Sequence, residues 1–210
     1  MGGAPAEESR TDKGEEGAVV SYREEGVFEC VRARIGWLGI FFAGLMLAAF
    51  VVEAFEDVLR HEVELSYFVP LLIGHGGNTG SQAVPTVIRA LALKHVRPRD
   101  APLVATKESA AGALMGVVLG LLIFLLSAVW SGISQSVGVV VAVALPLVSL
   151  WSNLLGGLLP LLAAAMGRNP AVTAAPLMTT IVDSTGLVIY FLVAKVVLGA
   201  IGEDRSGLAR

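Results

Sequence analysis

The chain has 210 residues, of which 55% are hydrophobic and 16% charged, with a formal net charge of −3 and a mean hydropathy of +0.74. Such apolarity excludes an ordinary soluble domain and points to an integral membrane protein, and nothing in the charge balance suggests a nucleic-acid partner. Cys30 is the only cysteine, so neither an intrachain disulfide nor a cysteine-based metal cluster can form.

The first 30 residues hold eight acidic and three basic side chains. Met1 to about Gly17, rich in Glu and Gly, reads as a solvated, disordered tail. It lacks the basic start, short apolar core and small-residue cleavage site of a signal peptide. Val19–Arg34 mixes apolar and charged residues and is a candidate amphipathic surface helix, which Gly26 weakens.

Five apolar segments follow: about Ile35–Leu59, Tyr67–Leu93, Ala101–Trp130, Val137–Ala165 and Ala171–Ile201. At ~1.5 Å per residue each can cross ~30 Å of hydrocarbon. The expected organisation is all-α: a cytoplasmic acidic tail over 1–34, a five-helix transmembrane domain over 35–202 and a short external tail over 203–210. Arg32 and Arg34 precede the first span, Lys94, Arg97, Arg99 and Lys107 cluster around the second connection, and Arg168 lies in the fourth. The other side offers only Arg60, in an acidic loop, so the positive-inside rule places the N-terminus in the cytoplasm and the C-terminus outside.

At the outer end of the first span, Glu53, Glu56 and Asp57 are spaced i, i+3 and i+4. With Glu62 and Glu64 they would give an external mouth a negative potential that concentrates cations; the competing reading is a solvated helix end. The second segment contains Pro70-Leu-Leu-Ile-Gly-His-Gly-Gly-Asn-Thr-Gly-Ser-Gln82, with glycines at 74, 76, 77 and 80. Glycine lets a helix or hydrated ion approach the backbone closely. Asn78, Thr79, Ser81 and Gln82 in the same turns favour a polar path over a simple packing face. His75 reads as packing or as an idle wall residue, and Arg89 as a snorkelling interfacial cation.

In the third segment Gly112, Gly116 and Gly120 form one small-residue stripe suited to close helix packing, and Glu108 is expected to pair with Lys107. In the fourth, Asn153 is expected to make an interhelical hydrogen bond. The fifth carries Asp183, about twelve residues in and therefore deep in the bilayer, where an ionisable group is costly and a functional candidate. Thr179, Thr180 and Gly186 share its face; the alternative is a carboxyl held by those threonines for packing. The second and fifth segments run in opposite directions and both look interrupted, by Pro70, glycines and Pro85 in one and by Pro170, Pro176 and Gly186 in the other. That pairing suggests a transport site at their interface.

No phosphate-binding loop, zinc-protease motif or nucleophile elbow is present, so no enzymatic activity is expected. A divalent ion entering a negative interior gains roughly 4.6 kcal/mol per 100 mV, enough for passive flow.

Pro70, Gly76, Gly77, Asn78, Gly80, Gln82 and Arg89, followed by Asn169-Pro-Ala171, Pro176, Thr179-Thr-Ile-Val-Asp183 and Gly186, resemble the transmembrane domain of the MgtE family of magnesium channels over about residues 35–200. The resemblance implies a homodimer of five-helix protomers in the prokaryotic inner membrane, with a pore on the dimer axis lined by the second and fifth helices. It implies that Asp183 is the metal residue, binding Mg²⁺ through its water shell; with it, Gly76, Gly77, Asn78, Gly80, Thr179, Thr180 and Gly186 are expected to line the pore, and Glu53, Glu56 and Asp57 are read from their spacing as the external mouth. Mg²⁺, as substrate and bound ion, dehydrates reluctantly, so a wide site of carboxylates, hydroxyls and carbonyls suits it. Better-known bacterial members carry a soluble domain and CBS sensor modules before the pore; with about 34 residues before the first span, gating by that route is not expected here. The alternatives are a gradient-coupled exchanger, a Co²⁺ or Mn²⁺ carrier, or a non-conducting membrane scaffold.

Overall fold

The computed structural model describes residues 26–208, all of whose regular structure is helical. The acidic stretch up to Gly17 and residues 19–25 of the Val19–Arg34 segment lie outside the described residues. By internal contacts the chain divides into Met1–Leu38 and Gly39–Arg210. The described part of the first unit is the opening of helix α1 (Val27–Ala54); the second holds the remainder of α1, a short α2 (Glu56–His61), α3 (Leu65–Ala92), α4 (Ala101–Val129), α5 (Gln135–Ala165) and α6 (Pro170–Leu208). Gly26 stands immediately before α1, its N–H donating to Glu29 Oε2 at 3.1 Å, and α1 then runs without a break through the stretch expected to be the first span.

The first apolar segment ends at Ala54 rather than Leu59. Phe55 leaves the helix and stacks on Phe191 of α6, with centroids 5.1 Å apart, and Lys195 Nζ sits 5.2 Å above its ring. An aromatic anchor of this kind favours a bend over another helical turn. The short α2 that follows has Glu56 and Asp57 in its first turn and Arg60 and His61 in its last, matching the helix dipole at both ends.

Among the described residues, four segments are long and apolar enough to cross a membrane: Val27–Ala54, Pro98–Val129, Gln135–Ala165 and Pro170–Ile201. Helix α3, at 28 residues, has the length, but its glycines, His75, Asn78, Thr79, Ser81 and Gln82 dilute the apolarity that marks the others. Neither α3 nor α6 is interrupted. Both run on as single helices through Pro70 and Pro85 and through Pro176, because a proline removes one backbone donor while neighbouring turns keep theirs. Helix α6 also continues beyond Ile201, through six residues of the expected external tail.

Helix α5 is the centre of the bundle, packed chiefly on α4 and also on α6 and α3. Val137, Val141, Leu145 and Val148 from α5 join Leu65 and Leu72 from α3 and Tyr190 and Phe191 from α6 in the core. The Tyr190 hydroxyl donates to Leu65 O at 2.9 Å, fastening α6 to the start of α3. Against α5, helix α4 buries Gly112, Gly116 and Gly120. A Cβ on Gly116 would fall 2.5 Å from Pro146 Cα and 2.7 Å from Leu145 O, and one on Gly120 would fall 2.5 Å from Ala142 O. The stripe is therefore the packing surface expected of it. Away from that stripe, Leu114, Val118, Leu121 and Leu125 are exposed, as a lipid-facing side requires.

Candidate ion site

Helices α3 and α6 meet where the two polar motifs lie. A Cβ on Gly77 would be 3.8 Å from Thr179 Cγ2 and 4.0 Å from Asp183 Oδ1, so the aspartate faces a strip of bare backbone. Among the described residues the Asp183 carboxylate makes no hydrogen bond and no ion pair. Its threonine neighbours do not hold it: the Thr179 hydroxyl donates to Pro176 O at 3.0 Å and that of Thr180 to the same carbonyl at 2.9 Å. Serine and threonine bonds to the preceding turn of this kind consume the hydroxyl hydrogen locally. The carboxylate is left available to an ion.

Residues next to Asp183 are committed elsewhere. Val182 packs against Gly76, where a Cβ would come within 2.8 Å of Val182 Cγ1 and 3.2 Å of Ser152 Oγ. The Ser184 hydroxyl donates to Gly44 O of α1 at 3.2 Å, and Thr180 presses its methyl group on Gly44. Gly80 is buried beneath Met178, with the Ser152 carbonyl 2.8 Å from a Cβ placed on it, and Gly156 of α5 receives the Gly80 carbonyl in return. Gly186 is buried, 3.6 Å from Val148 by the same measure. Of the residues read as one polar wall, Gly77, Thr179 and Asp183 come together. Gly76, Gly80 and Gly186 serve contact with α5 and α6, and Thr180 serves contact with α1.

Asn78 is exposed and stands on an uncovered stripe of α3 formed by Pro70, Leu71, Gly74, Asn78, Gln82, Pro85, Thr86 and Arg89. The recurrence every three or four residues marks one helix face. His75 points the other way, into the α3–α5 contact, with Nε2 2.6 Å from Ser149 Oγ. Ser149 spends its own hydrogen on Leu145 O at 2.7 Å, so the histidine donates. His75 is thus a packing residue.

Two expectations on α4 and α5 are not met. Glu108 lies against Gly157, its Cγ 3.1 Å from a Cβ placed there, and forms no ion pair with Lys107 because that lysine is on the exposed side of α4. Asn153 is 2% exposed, and its Oδ1 has no hydrogen-bond partner. The reason is local: α4 presents Gly112 there, which brings backbone close to Asn153 but no side-chain donor.

At the opposite end of the bundle, Glu53 ends α1 while Glu56 and Asp57 begin α2, so the bend at Phe55 removes the shared helical register. All three are exposed. Glu56 pairs with Arg60 at 2.9 Å, which raises the Arg60 pKa through that hydrogen bond and charge. Glu64 accepts from the Ser134 N–H at 2.6 Å and so ties the start of α3 to the α4–α5 turn. Asp57 and Glu62 share a groove of about 290 Å³ with His61 and Lys195. Lys195 of α6 thus lines the same groove as Asp57, a meeting of residues 138 positions apart that no local spacing announces.

An all-helical bundle with four helices apolar enough to span a bilayer, and with an unpartnered carboxylate midway along one of them, is a multi-pass membrane protein with a polar seam. The family model for MgtE, described as divalent cation transporter, matches residues 69–193, and the chain belongs to that family. It is 38% identical over 180 residues to the magnesium transporter MgtE of Thermus thermophilus, covering 86% of this chain and 40% of that protein. It is 30% identical over 161 residues to the magnesium transporter MgtE of Bacillus subtilis, covering 77% of this chain and 36% of the relative. The corresponding figure for Enterococcus faecalis is 29% over 180 residues, or 85% of this chain and 39% of the relative. The chain spans about two fifths of the length of these curated relatives.

Proposed function

We propose that this protein conducts Mg²⁺ across the membrane as a homodimer, with Asp183 of each protomer at the ion path. The observation that carries the proposal is the Asp183 carboxylate, which has no hydrogen-bond or ion-pair partner among the described residues and faces Gly77 across the α3–α6 contact. A carboxylate held at membrane depth without a partner is costly unless a cation or water meets it. The uncovered stripe of α3 supports the same reading: Asn78, Gln82, Thr86 and Arg89 on a membrane-embedded helix need water or a second protein surface beside them.

Two copies placed with these stripes facing would supply two carboxylates to one hydrated divalent ion, and α3 would then be a fifth crossing shielded from lipid. The arrangement suits Mg²⁺ because its inner waters can bridge to carboxylate oxygens and backbone carbonyls. Flow is passive and inward, driven by the membrane potential, with the basic α3–α4 connection in the cytoplasm and the acidic α2 region outside. The names of the matched relatives support magnesium over other divalent ions.

The deciding experiment is Mg²⁺ flux into liposomes containing the purified protein under an imposed potential, with and without Na⁺ and proton gradients. Flux that follows the potential and ignores both gradients supports conduction. Strict dependence on either gradient would show an exchanger instead.

A further inference from the structure

We propose that the α4–α5 end near Pro98 is a binding site for an anionic glycerophospholipid, which lays one acyl chain in an apolar groove and its phosphate on the adjoining arginines. The groove has a volume of about 390 Å³ and is lined by Leu155, Leu158, Leu159 and Leu162 of α5 together with Ala101 and Pro98. Leucines at these spacings form one face of α5. Leu162 is 55% exposed there, so the groove opens sideways to the surroundings of the bundle. Both walls belong to membrane-crossing segments, and the occupant reaching it from the side is therefore lipid.

Charge selects the headgroup. Pro98 is flanked by Arg97 and Arg99, and Lys94 lies four residues before it; all three basic side chains are exposed. Arg97 and Lys94 form no ion pair among the described residues. Asp100 offsets one of these three charges: its Oδ1 stands 3.9 Å from an Arg99 that is 74% exposed, while its Oδ2 accepts from the Arg97 backbone N–H at 2.8 Å, so the group stays net positive. The positive end of α4 begins at Ala101, itself part of the groove wall, and adds to the attraction for phosphate. An apolar slot between helices, ending under a net positive cluster at the membrane surface, fits a diacyl lipid with a negative headgroup better than a neutral one. The inference is independent of whether the protein conducts ions.

The test uses the full-length purified protein in detergent. Lipid retention is read by native mass spectrometry, and thermal stability is followed on adding phosphatidylglycerol or phosphatidylcholine. Wild type is expected to retain phosphatidylglycerol and to be stabilised by it more than by phosphatidylcholine. The surface variant R97Q/R99Q should fold normally and bind phosphatidylglycerol about thirtyfold more weakly, the equivalent of roughly 1 kcal/mol per basic residue, with phosphatidylcholine unaffected. Leu158→Trp, which fills the groove, should lower retention of both lipids. Equal response to the two lipids in wild type, or unchanged selectivity in R97Q/R99Q, overturns the proposal. Dissociation of an oligomer by Leu158→Trp with lipid retention intact also overturns it, since the groove would then be covered by a second copy.

Discussion

Gly77 of α3 and Asp183 of α6 oppose each other so closely that a methyl group on the glycine would sit 4.0 Å from the aspartate's Oδ1. That is ordinary van der Waals contact, so alanine fits and a longer side chain does not. Gly77→Ala should fold with nearly unchanged stability, whereas Gly77→Leu should occupy the space in front of the carboxylate and stop Mg²⁺ flux. Monodispersity on gel filtration together with liposome flux checks both. Normal flux through Gly77→Leu would remove α3 from the ion path.

Asp183→Asn keeps the side-chain volume and removes the charge. Because the carboxylate bonds to nothing among the described residues, the melting temperature should stay within a few degrees of wild type. Mg²⁺ flux should fall about tenfold or more, corresponding to a loss of at least ~1.4 kcal/mol at the ion site. A variant that unfolds would instead assign Asp183 a structural role.

Gly116 supplies the contrast. A Cβ there meets Pro146 Cα at 2.5 Å and Leu145 O at 2.7 Å, both backbone atoms that cannot rotate away. Gly116→Ala should destabilise the bundle by about 1–3 kcal/mol, the usual cost of overpacking. Thermal unfolding in detergent should reveal that loss, and the residual folded protein should still conduct.

Ser149→Ala removes the nearer acceptor of His75 Nε2, now bonded at 2.6 Å. The donor keeps only the longer 3.3 Å contact to Thr79 Oγ1, and losing one hydrogen bond costs about 0.5–1.5 kcal/mol, so stability should drop modestly while flux per folded protein is maintained. Loss of flux without loss of stability would place His75 in the ion path after all.

Glu64→Ala should loosen the α4–α5 turn, because the Glu64 carboxylate accepts from the Ser134 N–H. Faster amide hydrogen exchange over residues 131–136 is the expected signature. Unchanged exchange there would mean that water replaces the carboxylate without consequence.

Periodicity and composition were enough to reveal an all-helical membrane protein, the packing role of Gly112, Gly116 and Gly120, and Asp183 as the exceptional residue, because each depends on a signal carried within one helix. An aspartate midway along an apolar run is anomalous wherever that run packs, and glycines every fourth residue fall on one face by helix geometry alone. The sequence also paired α3 with α6, but it did not determine which glycines do what. Gly76 and Gly77 are adjacent in the chain, yet one turns to Val182 and Ser152 and the other to Asp183; their 100° separation acquires meaning only once α5 and α6 are in place. Only tertiary structure decided that Asn153 meets a glycine instead of a donor, that Phe55 bends the chain by stacking on Phe191, and that Lys195 reaches the acidic groove. Each of these depends on which residue a distant helix presents, and that register is set by the packing of whole helix surfaces against α5.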